Sequence, residues 1–409
     1  MESICERNCS KCTFIERCGG CSVCEASVCS KNCGRCFALC HRRPGAVTYF
    51  NKVLDGPAFE LKPNLDEPIS YHIPIIPDPL KVQMCNLKYV GIHAQQAFAR
   101  NGEKINKSYL EKGFAGVLNI NEDAKGILEC YVKDRTLEGF WDKRKDIYNQ
   151  LKQLKLAAAI APNFSVYEDA PRLDHMHNIK RSVIMYNELL DSGINAIPDV
   201  SWFNVSDLDY WCKEIVNKSI PIIAFSFQVV DIQLKTSNEW CNSIPGFRYL
   251  CQNIPQNTKI IIAGLVSPLR VMDVINASQG QSVHILNQSA YVQGRRGVIS
   301  SDRSKVTDLH YCDVLKINID YFDKLYKRMN LDNENNGLMA SLNKWDAAKV
   351  RAFCLEYIHG NFKGIEEQYG ISLTDAEMVY SMVKRRIRRK PLMEEGDDSK
   401  CQNQDQVIV

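Results

Sequence analysis

Ten cysteines lie within the first 40 residues and form the densest group of reactive side chains in the chain. Thiolates bind transition metals. A short segment with few large apolar residues needs a bound metal to stabilise its fold. With no export signal the compartment is expected to be reducing, which favours metal ligation over disulfides. The predicted metal ligands are Cys5, Cys9, Cys12, Cys18, Cys21, Cys24, Cys29, Cys33, Cys36 and Cys40.

The spacing of these cysteines leaves the metal open. The run Cys18-x2-Cys21-x2-Cys24-x4-Cys29 has nearly the spacing of the bacterial ferredoxin run and is one residue longer only in its last gap. A 4Fe-4S iron–sulfur cluster is therefore the predicted cofactor. Zinc is the alternative, because paired C-x2-C knuckles suit tetrahedral sites of four thiolates. Two runs also match the radical-SAM spacing, but they precede the predicted barrel instead of following its first strand.

Polar residues that follow apolar runs in the central region are the candidates for catalysis. In a (β/α) barrel the chemistry takes place at the carboxyl ends of the strands. The predicted catalytic residues are Asp169, Asp199 and Tyr291. Asp199 follows Pro198 and fits either a general base or the cap of a turn. The predicted substrate-binding residues are Asn163, Ser165, Trp202, Gln228, Asn287, Gln288, Arg295 and Arg296.

Arg295 and Arg296 are flanked by Gly294 and Gly297. Arginine binds phosphate with two hydrogen bonds, and neighbouring glycines let a ligand approach the backbone. The segment therefore predicts an anion site, with a solvated surface turn as the alternative.

The elements that position these residues follow from alternating patterns. Short apolar runs separated by amphipathic stretches are typical of βαβ units, and hence of parallel strands. The number of repeats favours an α/β fold with a (β/α) barrel-like core over a doubly wound sheet. The runs predicted as strands are 89–92, 114–120, 156–160, 195–200, 221–227, 259–265 and 283–286.

The sequence predicts five regions. They are a Cys-rich metal-binding module (1–45), a connector with one or two strands (46–87), the barrel-like domain (88–320), a helical region (321–390) and a disordered acidic tail (391–409).

The helical region contains a pattern typical of a helix-turn-helix. A short helix over 362–369 ends at Gly370, Ile371 is expected to pack into the corner, and Ser372 or Thr374 would cap the next helix. That helix runs into a basic end, which predicts contact with DNA or RNA phosphates. A helical hairpin with a solvated basic end is the alternative. The predicted nucleic-acid ligands are Lys384, Arg385, Arg386, Arg388, Arg389 and Lys390.

Composition excludes some classes of protein. The chain has 409 residues, of which 45% are hydrophobic and 24% charged, so disorder over the whole chain is excluded. No apolar stretch is long enough to span a membrane, and no signal peptide is recognised, so a cytoplasmic protein without a membrane partner is expected. The net charge of +3 is near neutral, and nucleic-acid contact would need a local basic patch.

The central region resembles a known family on three segments. They are Ala161-Pro162-Asn163-Phe164-Ser165, Ile197-Pro198-Asp199-Val200-Ser201-Trp202 and Ala224-Phe225-Ser226-Phe227. These are similar to a domain of unknown function in uncharacterised proteins of bacteria, archaea, phages and mobile elements. Asn163 stands where that family usually has an acid. A weaker resemblance, to tRNA-guanine transglycosylase-type barrels, transfers no residue, because their nucleophile loop is not identifiable.

Two functions remain open from the sequence. One is a metal-bearing barrel enzyme of mobile-element or phage type that acts on nucleic acid or a nucleotide. The other is a non-enzymatic protein that binds nucleic acid or protein and has a structural zinc module. Acids and arginines gathered at the barrel mouth would favour the enzyme, and a mouth filled with apolar side chains would favour the binding protein.

Overall fold

A computed structural model describes residues 69–84, 86–166, 170, 172–228, 238–334 and 345–371, together with Val53, Ala376, Val379 and Tyr380. Within these ranges the chain is a mixed α/β structure with parallel strands. None of the helices described there is both long enough and apolar enough to cross a bilayer.

Eight short strands make up the sheets. In chain order they are β1 (His72–Pro74), β2 (Tyr89–His93), β3 (Lys125–Glu129), β4 (Ala158–Ile160), β5 (Ala196–Ile197), β6 (Ile222–Ser226), β7 (Lys259–Ala263) and β8 (Val283–Asn287). One sheet has the order β2-β3-β4-β5 and the other the order β1-β8-β7-β6, and every pairing is parallel. The predicted parallel-strand core is therefore confirmed, although its ladders fall into two sheets instead of one continuous barrel.

Helices follow most of the strands, as βαβ units require. They are α1 (Ala94–Ala97), α2 (Lys107–Leu118), α3 (Asp134–Leu151), α4 (Arg172–Asp191), α5 (Val205–Lys218), α6 (Asn238–Gln252), α7 (Pro268–Ala277), α8 (Ser289–Arg295), α9 (Tyr311–Glu334), α10 (Ala347–Ile358) and α11 (Phe362–Tyr369).

The edges of the two sheets meet at two isolated parallel bridges. Ile75 pairs with Gly91 between β1 and β2, and Asp199 pairs with Ala224 between β5 and β6. The first bridge requires a glycine. A Cβ atom on Gly91 would lie 2.6 Å from Leu286 Cδ1 and 2.7 Å from Ile75 Cγ1. The absence of a side chain at this position lets β1 and β2 approach each other.

Apolar residues from all eight strands form one separate buried cluster. Since side chains alternate along a strand, the residues that a strand contributes to this cluster lie on one of its two faces. Its members are Ile69, Ile73, Ile75, Tyr89, Ile127, Ala158, Ile160, Ile197, Ile222, Ala224, Ile261 and Leu286. The opposite faces of the strands pack against the helices in a larger core. We call the face that carries the small cluster the inward face of the strands, since the helices cover the other face.

One predicted strand was wrong. Residues 114–120 form the last turns of α2 and the residues after it, and the strand of this repeat is β3, farther along the chain. Phe114 and Leu118 are four residues apart and both buried, as residues on one side of a helix are. Gly113 has a φ of 66° and kinks the helix immediately before the apolar run. The run therefore looked like an independent element in the sequence.

The short helix predicted over 362–369 is confirmed as α11, which follows α10, and the helix-turn-helix itself stays a prediction. Asp346 caps α10 by accepting a 2.6 Å hydrogen bond from the backbone N–H of Lys349. α11 ends at Gly370 in the left-handed conformation, and Ile371 is fully buried. Trp345, Phe353 and Tyr369 pack with ring centroids 5.4–5.5 Å apart. The residues expected to cap the next helix, Ser372 and Thr374, lie outside the described residues.

Candidate functional site

A histidine and a glutamate lie side by side at the carboxyl ends of β2 and β3. His93 and Glu129 are direct partners in the parallel ladder, and both share the inward face with Ile127. His93 Nδ1 is in hydrogen-bond contact with Glu129 Oε1. The Glu129 side chain is only 2% exposed, and that of His93 is 20% exposed. The carboxylate therefore orients the imidazole, whose other nitrogen remains for a further contact.

Tyr131 joins this pair to Asp199. Its backbone N–H donates a 2.8 Å hydrogen bond to Glu129 Oε2, and its hydroxyl donates a 2.6 Å hydrogen bond to Asp199 Oδ1. Asp199 lies two residues beyond Ile197 on the inward side of β5 and is completely buried. Four polar side chains from β2, β3 and β5 are thus linked above the apolar cluster. We call His93, Glu129, Tyr131 and Asp199 the mouth cluster.

Burial controls the protonation of the mouth cluster. Desolvation raises the pKa of Asp199 to about 7, although the hydrogen bond from Tyr131 acts in the opposite direction. Burial, followed by the nearby Asp199 carboxylate, raises the pKa of Tyr131 well above its ordinary value. Asp199 can therefore exchange a proton near neutral pH, while the phenol of Tyr131 stays protonated.

The loop after β4 carries two of the predicted substrate-binding residues. Ser165 donates a 2.7 Å hydrogen bond from its hydroxyl to Asp134 at the start of α3, and its carbonyl accepts a 2.8 Å bond from Asn178 on α4. Asn163 is half-buried on the same loop. These bonds hold the loop between two helices at the carboxyl end of the strand.

The loop after β5 is anchored by an ion pair. Arg172 at the start of α4 donates two 2.7 Å hydrogen bonds to Asp207, which is completely buried in the first turn of α5. Asp207 also forms a capping box with Asn204, and its carboxylate accepts a 3.1 Å bond from the backbone N–H of Phe203. The segment that carries Asp199 is therefore fixed to both neighbouring helices.

The last residue of β8 and the residues that follow it are engaged in structural contacts. Asn287 donates a 2.7 Å hydrogen bond to the carbonyl of Leu265 and accepts one of 3.0 Å from the N–H of Ser289. Gln288 is half-buried at the start of α8. Tyr291 donates a 3.0 Å bond to Asp78, and burial together with this bond raises its pKa to about 12. Within the described residues, the Tyr291 hydroxyl therefore contacts Asp78 and not the mouth cluster.

The remaining predicted residues are dispersed. Arg295 and Arg296 are exposed at the end of α8, one helix beyond β8, and the Arg295 guanidinium lies 4.9 Å from the ring centre of Tyr311. Trp202 packs its ring against Gly246 on α6. Gln228 is exposed just after β6. Asp169, the ten N-terminal cysteines and the basic segment 384–390 lie outside the described residues.

Three members of the mouth cluster were not predicted from the sequence. His93 was not nominated although it directly follows the strand predicted over 89–92. Glu129 and Tyr131 were not nominated because β3 was placed too early and its carboxyl end was therefore unknown. The available signal was Gly126-Ile127-Leu128, a short apolar run that ends in an acid just before the helix start at Asp134. Among the described residues, no group of three or more His, Cys, Asp or Glu side chains is arranged to hold a metal ion.

Comparisons with known proteins give a partial match. Residues 114–278, from α2 to the end of α7, match the family described as "Domain of unknown function (DUF4417)". No curated protein matches the chain. Among solved structures, the chain is similar to a cube-shaped, highly porous protein cage designed by fusing symmetric oligomeric domains. The sequence identity is 12%, the match covers 82% of this chain and 98% of that chain, and the TM-score is 0.29.

Proposed function

We propose that the protein is a (β/α)-barrel enzyme that performs acid–base chemistry at its mouth cluster, with a nucleotide or a nucleic acid as substrate. The observation that carries the proposal is the linked set His93, Glu129, Tyr131 and Asp199 on the inward side of strand ends. Barrel enzymes place their reacting groups there. The bridges between β1 and β2 and between β5 and β6 support a barrel, because they join the two sheets at both edges.

The roles in the proposed reaction follow from protonation and burial. Asp199, with its pKa near 7, gives or takes a proton at the substrate. Glu129 holds the His93 ring, so that its second nitrogen acts as a separate proton donor or acceptor. Tyr131 positions both carboxyl groups through its hydroxyl and its backbone N–H. An origin in a phage or mobile element, which the sequence resemblance implies, suits a nucleic-acid substrate.

The test is a comparison of two substitutions in the full chain, purified without oxygen. The protein is incubated with a panel of nucleotides and short DNA and RNA strands, and products are identified by mass spectrometry. Asp199→Asn is expected to lower turnover by about 100-fold or more, because general acid–base groups contribute about that much. Asp209→Asn, on the exposed side of α5, is the matched control and is expected to leave turnover unchanged. Equal turnover by parent and Asp199→Asn would contradict the proposal.

The N-terminal module is proposed to carry a 4Fe-4S cluster, with zinc as the alternative. Its ten thiolates suit either metal, so the donor set alone does not choose. Cys21→Ser with Cys24→Ser is expected to abolish stoichiometric metal and to make residues 1–45 sensitive to protease. Cys401→Ser, outside the cluster, is the control. Absorption near roughly 400 nm would identify iron–sulfur, and unchanged metal content in the double variant would contradict the ligand assignment.

A second candidate function is nucleic-acid binding without catalysis. The burial of Ile371, Ala376 and Val379 after α10 and α11 supports a helix-turn-helix, and the basic segment 384–390 follows these residues in the sequence. Salt-dependent binding of duplex DNA or RNA, with no product from any substrate in the panel, would favour this function over the enzyme.

A further inference from the structure

Two buried polar atoms near the end of β5 have no hydrogen-bond partner in the part of the chain that the structure describes. They are Asp199 Oδ2 and Ser201 Oγ. Asp199 is completely buried and Ser201 is 6% exposed. Buried polar atoms are nearly always paired in native proteins, and leaving one unpaired costs about 1–3 kcal/mol. Two such atoms lie close in sequence at a strand end, and they indicate a bound group that would form the missing hydrogen bonds.

Other hydrogen bonds fix the positions of Asp199 and Ser201. Asp199 is fixed through its other oxygen, which accepts the 2.6 Å hydrogen bond from Tyr131. Ser201 is fixed through its backbone carbonyl, which accepts a 2.8 Å bond from Trp211 Nε1. Asp199 pairs with Ala224 in a parallel bridge, and Val200 donates a 2.9 Å hydrogen bond to the carbonyl of Ala224, so the chain is extended as it reaches Ser201. Side chains two residues apart on an extended segment point to the same side. The unpaired oxygen and the unpaired hydroxyl therefore lie on one side of the β5–α5 loop.

The chemistry of this pair selects its ligand. A carboxyl oxygen accepts a hydrogen bond, and a serine hydroxyl can donate one to a neighbouring acceptor. An adjacent N–H donor and carbonyl or ring-nitrogen acceptor match that pattern, and nitrogen heterocycles carry both along one edge. A phosphate offers acceptors only and would be repelled by the carboxylate. Phe203, on the same loop, packs against the ring of His175 with centroids 4.2 Å apart, yet it is 40% exposed and leaves part of its aromatic surface for a base.

We propose that Asp199 and Ser201 bind the hydrogen-bonding edge of a nucleobase, with the ring of Phe203 beside it. The proposal rests on the proposed function, since it assigns the substrate's base to the same mouth cluster. It adds Ser201 and Phe203 as residues that determine specificity. The acid–base role proposed for Asp199 does not depend on either of them.

The test measures binding of free adenine, guanine, cytosine and uracil to the full chain by ligand-observed NMR, with ribose 5-phosphate and inorganic phosphate as comparison probes. At least one base is expected to bind, and Ser201→Ala is expected to weaken its binding by about 10-fold or more. Ser201→Thr, which keeps the hydroxyl, is expected to restore most of the affinity. The matched control is Ser300→Ala, because Ser300 is also buried with an unpaired hydroxyl but lies beyond α8.

Each other outcome would overturn the inference. These outcomes are no binding of any base, binding that Ser201→Ala leaves unchanged, or equal weakening by Ser300→Ala. Thermal melting of each variant confirms that it is folded. If no base binds while Asp199→Asn still abolishes turnover, the base assignment fails and the acid–base function stands. If a base binds through Ser201 but Asp199→Asn keeps full turnover, the acid–base function fails instead.

Discussion

The free energy of unfolding is expected to decrease by about 4 kcal/mol between about pH 4 and pH 8 because of Asp199 alone. Its pKa is about 7 in the folded protein, because burial disfavours the carboxylate, whereas an unfolded aspartate titrates near 3.9. Between these values the unfolded chain has released a proton that the folded chain retains, so stability falls as the pH rises. Each tenfold change in proton affinity is worth about 1.4 kcal/mol, which sets the total.

The measurement is urea unfolding of the parent and Asp199→Asn across this pH range. Other titrating groups contribute equally to both proteins, so the difference between the two curves isolates Asp199. The stability of the parent relative to the variant is expected to decline up to about pH 7 and then to level off. Asp209→Asn, at an exposed position, serves as the control and is expected to follow the parent. Parallel curves for parent and Asp199→Asn would show that Asp199 titrates as it does in the unfolded chain.

Tyr131→Phe provides an independent check of the cause. The hydrogen bond from Tyr131 lowers the pKa of Asp199, in opposition to burial. Its removal is therefore expected to raise that pKa further and to extend the decline of stability to higher pH.

The parallel α/β core was predictable because buried parallel strands are short, apolar and separated by amphipathic helices. That pattern identified the strands β2 and β4 to β8 directly. It failed at β3 because a short apolar run is compatible with a strand or a buried helix end. Residues 114–120 are more apolar than Lys125–Glu129, and only the packing of α2 against the core distinguishes the two.

The mouth cluster could be predicted only in part, because the sequence does not show which side chains are buried or which residues pair across strands. Asp199 was recognised from its position after an apolar run, but the sequence favoured the cap of the next turn over a general base. The structure assigns the cap of α5 to Asn204, and the Asp199 carboxyl accepts from Tyr131, which is 68 residues away in sequence. The pairing of His93 with Glu129 depends on the register of β2 against β3, which single-sequence patterns do not specify.

Replacement of Asp207 by alanine is expected to lower the free energy of unfolding by about 3–5 kcal/mol. The change leaves Arg172, whose side chain is 10% exposed, without its two 2.7 Å hydrogen bonds, and removal of one partner of a buried ion pair carries about that cost. It also removes half of the capping box with Asn204 and the acceptor for the N–H of Phe203. Chemical denaturation at neutral pH measures the loss.

The matched control is Asp209→Ala, two residues farther along α5. Asp209 is exposed and accepts a 2.6 Å hydrogen bond from Tyr249, so its loss is expected to cost about 1 kcal/mol or less. Arg172→Met combined with Asp207→Leu is expected to be more stable than Asp207→Ala alone, because both charges of the ion pair are then removed together. If Asp207→Ala costs no more than Asp209→Ala, the ion pair does not anchor the β5–α5 loop. The positions of Asp199 and Ser201 would then depend on Tyr131 and Trp211 instead.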